Sequence, residues 1–131
     1  MIHILIDHNI EGQGVLLWGT LASEGWVELL QIRVSVFVDA GLAFDSSDRD
    51  VWRFAQNNGM ILITDNRNMD GTDSLEQTIR DEATSSSLPV LTIGKVDRFD
   101  EKDYRERCIN RLLEILIDVE SYLGTGRLYI P

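Results

Sequence analysis

An α/β fold, a three-layer α/β/α sandwich around a mainly parallel sheet of four to five strands, is predicted by three features of the sequence. Apolar, β-favouring runs alternate with helix-patterned segments along the whole chain, which is the order that gives a parallel sheet with crossover helices. The first run, MIHILID, is apolar almost without interruption, as expected of a strand covered on both faces. Two of the runs stop abruptly in acidic and amide residues, at Asp7-His8-Asn9 and again after Thr64. At 131 residues the chain fits one domain, 1–131, long enough to bury roughly two-thirds of its unfolded surface.

The elements follow in order. Met1–Asp7 is the first strand. Glu11 to about Ser23 turns helical, with Val15, Leu16, Trp18, Leu21 and Ala22 at three- and four-residue spacings. Gly12, Gly14 and Gly19 lower its intrinsic propensity, so packing must hold it. Gly25 stops that helix, and Trp26–Leu30 adds a further turn. Ile32–Val38 is the second strand and Asp39–Ser47 a loop. Ser46, Ser47 or Asp48 caps a helix from about Arg49 to Asn57, which Asn58-Gly59 ends. Met60–Thr64 is the third strand, and Ser74 to about Ala83 the next helix. Leu88–Ile93 is a fourth strand, with Pro89 at its opening where a missing N–H is tolerated. The last helix, about Glu101 to Leu123, carries a wide apolar stripe that includes Tyr104, Cys108, Leu112, Leu116 and Val119. Arg127–Ile130 adds a short edge strand.

Composition restricts function. The formal net charge of −10 repels nucleic acid at long range, so a role on RNA or DNA needs metal ions or a basic partner. No apolar run approaches the ~20 residues of a membrane span, so no membrane partner is expected. The N-terminus lacks the features of a signal peptide, and the single cysteine has no internal partner, which makes the cytoplasm the expected compartment. Neither GxGxxG nor GxxxxGK[ST] occurs, which leaves little room for a nucleotide-binding domain.

Right-handed crossovers place the strand ends after Asp7, Val38, Thr64 and Ile93 along one edge of the sheet. Asp7, the Asp45–Asp50 region and Asp65–Asp73 are thereby drawn toward one crevice, where open α/β sheets bind ligands. Converging carboxylates suit Mg²⁺ or Mn²⁺, which prefer oxygen ligands. Each residue also has a plainer role. Asp48, Asp50 and Asp73 sit where helix caps and helix dipoles favour acids. Asn66, Asn68 and Gly71 are ordinary turn residues. Asp7 is harder to explain that way, because an acid closing a buried strand is costly unless paired or coordinated. His3 reads as structural, His8 as able to reach the crevice, and Cys108 as core. Trp18, Trp26 and Trp52 are spaced as core and cover residues, with no base-stacking platform among them.

ILID near the N-terminus, SSDRDVWRFAQNNG on a helix and MILITDNRN after a strand resemble, in that order, the PIN-like superfamily, in its compact bacterial branch of toxin-like and uncharacterised proteins. These segments cover the first two-thirds of the chain; LPVLTIG and the long last helix are compatible with it. The resemblance implies a single PIN-like domain with a parallel sheet between helices and metal-dependent ribonuclease activity. Carried over by position, Asp7 is the first acid and Asp48 the helix-start acid, with Asp50 competing. The later motif of Thr, any residue, Asp, any residue, Asp and an aromatic, aligned on Thr64, falls on Asn66, Asn68 and Met69. Asp65 is displaced from it by one position, and Asp73 stands ready at the next helix start.

Two functions are therefore expected. In one, the protein is a divalent-metal-dependent ribonuclease of PIN-like type, with the role of a toxin-like component open to it. Asp7, Asp48, Asp65 and Asp73 would hold Mg²⁺ or Mn²⁺, and Asn66 and Asn68 would position water or phosphate. Its partners would be an RNA substrate and an antitoxin-like protein. In the other, a catalytically inactive PIN-like module binds a protein partner, with Asn66, Arg67 and Asn68 replacing the acidic site. There the Arg67 guanidinium would pair with Asp7 and Asp48 in place of the ion. The wide stripe of the last helix is broad enough to cover the sheet and a partner as well, so a homodimer is a further expectation.

Overall fold

The computed structural model describes residues 1–131, and its five strands are all parallel. They are β1 (Ile2–Ile6), β2 (Ile32–Ser35), β3 (Met60–Thr64), β4 (Val90–Thr92) and β5 (Arg127–Tyr129), in the spatial order β2-β1-β3-β4-β5. Six α-helices join them: α1 (Glu11–Ser23), α2 (Trp26–Leu29), α3 (Phe37–Ala40), α4 (Asp48–Asn57), α5 (Leu75–Glu82) and α6 (Lys102–Ile117). Short 3₁₀ turns follow β1, β4 and α6, at His8–Ile10, Val96–Arg98 and Val119–Tyr122.

Strand alternation produces the three layers. Ile4, Ile6, Ile61, Ile63 and Leu91 face one side and pack with Leu17 and Leu21 of α1 and the buried stripe of α6. Leu5, Met60, Leu62 and Val90 face the other and pack with Val51, Trp52 and Ala55 of α4 and with Leu75. The first core has 19 buried residues and the second 9, so the α1/α6 side carries most of the apolar burial. Gly14 lets α1 lie close to the sheet: a Cβ there would sit 2.9 Å from Ile6 Cγ2. Gly59, at φ +65°, ends α4 in the left-handed conformation expected of that position.

Three boundaries differ from the sequence expectation. The second strand stops at Ser35 instead of Val38, because the chain turns into α3 and drives Phe37 into the core beneath α4. Val38 is consequently 69% exposed, not buried in a strand. β4 begins at Val90, because the Gln56 side chain serves Leu88 in place of a neighbouring strand. Its Oε1 accepts from Leu88 N at 3.0 Å and its Nε2 donates to Leu88 O at 2.9 Å. α6 ends at Ile117, because the Asp118 carboxylate accepts from Ser121 Oγ at 2.7 Å and turns the chain into the 3₁₀ segment. The edge strand β5 forms where expected, beside β4. No helix is long and apolar enough to cross a membrane.

Candidate functional site

The chain runs from β1 outward to β2, then crosses back to place β3 on the other side of β1. That reversal opens a crevice at the carboxyl ends of β1 and β3, where ligands of open α/β sheets bind. A cavity of about 70 Å³ occupies it, with Asp7, His8, Phe37, Phe44, Asp48 and Asn66 among its lining. At about 30 Å³ per water, it has room for an ion or a few water molecules.

Asp7 follows β1 directly. Its N–H donates to Ile63 O at 3.0 Å, and its Oδ2 accepts from Thr64 Oγ1 at 2.6 Å. Thr64 is fully buried, so this hydroxyl is held in place, and it also accepts from Asn66 N at 2.9 Å. Burial pushes the Asp7 carboxyl above its ordinary pKa; the Thr64 hydrogen bond opposes that rise, and repulsion from Asp48 and Asp65 adds to it. A carboxylate so placed is destabilised in its charged form, and a bound cation would relieve it.

Asp48 is the first residue of α4, but Ser47 caps that helix, accepting from Asp50 N at 3.1 Å. The Asp48 Oδ2 instead accepts from Leu75 N at 3.2 Å, which ties the start of α4 to the start of α5. Asp48 thus carries both a structural bond and a place in the crevice wall. Asp50 is exposed on α4 and does not line this cavity.

The segment after β3 is built by its own side chains. Asn66 N binds Thr64 Oγ1, Asn68 N binds Asn66 Oδ1 at 2.9 Å, and Asp70 N binds Asn68 Oδ1 at 3.0 Å. Successive side-chain turns of this kind direct the loop without any sheet pairing. Of the expected catalytic residues, Asn66 lines the crevice beside Asp7 and Asp48. Asn68 lines an adjoining opening that Asp48 also borders, together with Asp73. Asp65 is half-buried and close enough to repel the charge of Asp7.

Two expectations are corrected. Asp73 does not join Asp7: its Oδ1 lies 3.0 Å from Arg49 Nε, in a network that also holds Asp81 and Glu82. The reason is that Ser74, accepting from Gln77 N, caps α5, which frees Asp73 to turn outward to the arginine. Arg67 pairs with neither Asp7 nor Asp48; it forms no ion pair and lines a separate groove with Lys95, Arg98 and Arg107. The turns at Asn66 and Asn68 put adjacent residues on different sides of the loop, so Arg67 leaves the crevice that Asn66 enters.

The histidines and the cysteine fall where expected. His3 Nε2 lies 2.7 Å from Ser35 Oγ across the β1–β2 pair, a structural contact. His8 lines the crevice, with Nδ1 3.1 Å from Glu11 Oε2. Cys108 is fully buried, and burial pushes its thiol up to about 11, which makes it unreactive at neutral pH.

Three residues escape a sequence reading. Thr64 enters the sequence reading only as the first position of the later motif, and its bond to Asp7, 57 positions away, has no local signal. Phe44 stacks on His8 with ring centroids 4.1 Å apart at 6°, and stands 61% exposed at the crevice mouth. Being the one aromatic residue of the loop Asp39–Ser47 was its only signal. Arg127 joins four segments: it donates to Glu76 Oε1 at 2.6 Å, Asn66 O at 2.6 Å and Thr92 Oγ1 at 2.7 Å. From β5 it therefore braces the backbone of the crevice loop, a link between residues 61 positions apart that no local pattern announces.

The donors fit one kind of ion better than another. No three carboxylate, imidazole or thiol groups converge closely enough to form a metal cage, so Asp7, Asp48, Asp65 and Asp73 do not make one ligand set. Mg²⁺ or Mn²⁺ bound by one or two carboxylates and otherwise by water matches Asp7 and Asp48 facing a small polar cavity. No family model matches the chain, and no curated protein or solved structure matches it.

Proposed function

We propose that the chain is a PIN-like domain that cleaves RNA, with a hydrated Mg²⁺ or Mn²⁺ ion held by Asp7 and Asp48. The observation that carries this reading is the state of Asp7, a half-buried carboxylate at the switch point whose charged form is disfavoured by burial and by Asp48 and Asp65. Such an arrangement costs stability, and it stands where Asp7 and Asp48 face one small polar cavity at the strand ends, as ligand sites of this fold class do. When bound, the ion supplies an activated water and offsets the charge that develops at phosphorus. Asp7 and Asp48 orient that ion, Asp65 adds negative field, and Asn66 offers an amide at the cavity wall. Thr64 fixes the rotamer of Asp7.

RNA cleavage by wild type and Asp7→Asn, purified side by side, tests the reading. Cleavage that depends on Mn²⁺ and is lost in the variant is expected. Equal cleavage by the two proteins assigns the activity to a contaminant and removes the nuclease proposal.

A second reading, a PIN-like module without nuclease activity that binds a protein partner, is favoured by one observation. Asp7, Asp48 and Asn66 each accept a hydrogen bond from the protein itself. Absence of any Mn²⁺-induced rise in melting temperature selects this reading over the first.

A further inference from the structure

We infer that the groove lined by Arg67, Lys95, Arg98, Arg107 and Tyr129 binds the phosphodiester backbone of a single-stranded RNA flanking the Asp7 crevice. This inference rests on the phosphodiester reading of the crevice for the identity of the strand, and on the groove's own chemistry for its location.

The charge pattern is the first argument. The chain has 12 Lys and Arg against 22 Asp and Glu, yet four of those cations line a single groove of about 300 Å³. Elsewhere most of the cations are taken up by carboxylates, as Arg49 and Arg53 are by Glu82 and Arg127 is by Glu76, while Arg33, Arg80 and Arg105, also without an ion pair, do not line the groove. In the groove, Arg67, Lys95 and Arg107 form no ion pair. Only Arg98 has a carboxylate partner, the exposed Glu101 at 3.2 Å, with Asp97 also nearby. Exposed cations left unpaired in an acidic protein form a local exception to its field, effective within the screening length of about 10 Å.

Geometry is the second argument. Arg98 and Arg107 lie over the ring of buried Tyr104, 5.1 and 5.4 Å from its centroid, and the Tyr104 hydroxyl accepts from Lys95 N at 2.9 Å. One tyrosine thus holds three of the cationic residues in register. Tyr129, at the end of β5, is 48% exposed and offers a ring for stacking at the groove wall. Cations tracking phosphates beside an exposed aromatic make the usual surface for a single strand, which stacks its bases where a duplex cannot.

Continuity is the third argument. Asn66 lines the crevice and Arg67 lines the groove, so one peptide unit separates the two. Arg127 braces that unit through Asn66 O. A strand cleaved beside Asp7 would extend its neighbouring phosphates across Arg67 toward Lys95 and Arg107. An acidic peptide would satisfy the cations but would have no use for this junction.

The test is fluorescence anisotropy of a labelled single-stranded RNA in EDTA, where no cleavage interferes. Each single-strand phosphate contact contributes about −0.7 to the slope of log affinity against log salt. Four contacts predict an affinity loss of about 50-fold between roughly 50 and 200 mM salt. Arg67→Ala/Lys95→Ala, which breaks no ion pair, is expected to reduce that loss to about 7-fold. Tyr129→Ala should weaken binding about five-fold or more. Arg33→Ala/Arg80→Ala, on edge strand β2 and helix α5, removes two exposed cations that do not line the groove; it serves as the charge-matched control and should keep the wild-type slope. Equal slopes for wild type and the double variant overturn the inference, whatever the cleavage assay gives. Binding of polyglutamate in preference to RNA, or no RNA binding at all, also overturns it. Groove-dependent RNA binding without Mn²⁺-dependent cleavage sustains the inference and removes only the nuclease reading.

Discussion

Replacing Asp7 with asparagine should make the protein more stable and less able to bind a cation. In the folded chain the Asp7 carboxyl holds its proton more tightly than its ordinary value of 3.8, mainly because it is buried. A raised folded pKa contributes stability that is complete below that ordinary value and is lost as pH rises through the folded one. At pH 7 the charge is therefore a burden, made worse by Asp48 and Asp65. Asparagine removes the charge while keeping an oxygen for the Thr64 hydroxyl, now 2.6 Å from Asp7 Oδ2. Relief of a destabilised functional group is typically worth roughly 0.5–2 kcal/mol. For a chain of this length that is a rise in melting temperature of about 2–7 °C. The advantage should fade as pH is lowered through the raised folded value toward 3.8, and be absent below it, where the aspartic acid is neutral in both states. Mn²⁺ should reverse the order: at about 100 times its dissociation constant it stabilises wild type by about 2.7 kcal/mol, and the variant far less. Differential scanning fluorimetry at pH 7, with EDTA and with Mn²⁺, reads both effects. A variant less stable than wild type in EDTA would refute the reasoning, because Asp7 would then be a well-compensated structural ion. Equal Mn²⁺ shifts in both proteins would place any bound ion away from Asp7.

Asn66→Asp keeps an oxygen to accept from Asn68 N, so the loop should hold, but it adds a third carboxylate to the crevice. It should lower stability in EDTA at pH 7 and enlarge the Mn²⁺ shift; an unchanged shift would show that position 66 does not face the ion. Thr64→Val is close to isosteric at a fully buried site and removes the donor to Asp7 and the acceptor for Asn66 N. Urea unfolding at pH 7 should show a loss of about 1.5–3 kcal/mol, and a loss of the same size in an Asp7→Asn background would deny the charge-assisted bond its importance. Arg127→Met breaks three hydrogen bonds of a side chain only 9% exposed, although Glu76 keeps some water and the buried Arg127 Nη2 has no partner to lose. A cost of about 2–3 kcal/mol is expected by chemical denaturation, below the usual figure for a fully buried pair; a neutral result would mean the loop needs no brace. Gly14→Ala should cost about 1–3 kcal/mol, because the new methyl carbon would meet Ile6 at 2.9 Å. Unaltered stability there would contradict the close approach of α1 to β1.

By itself, the sequence determined the order of strands and helices apart from α3, the burial of β1 and β3, and the edge of the sheet at which Asp7, Asp48 and Asn66 meet. Those features are local or follow from chain handedness: apolar periodicity sets the elements, and right-handed crossovers send every parallel strand end to one side. Tertiary structure decided what each polar group touches. Asp73 and Arg67 are within a few residues of the crevice, but Arg49 from α4 draws Asp73 away and the turns at Asn66 and Asn68 carry Arg67 to another groove. Net charge pointed away from nucleic acid, yet packing against Tyr104 gathered Arg98 and Arg107 beside Lys95. Phe37 left its strand because the core beneath α4 had a place for it. A side chain's partner depends on distances across the fold, such as the 61 positions between Asn66 and Arg127, and no periodicity along the chain encodes them.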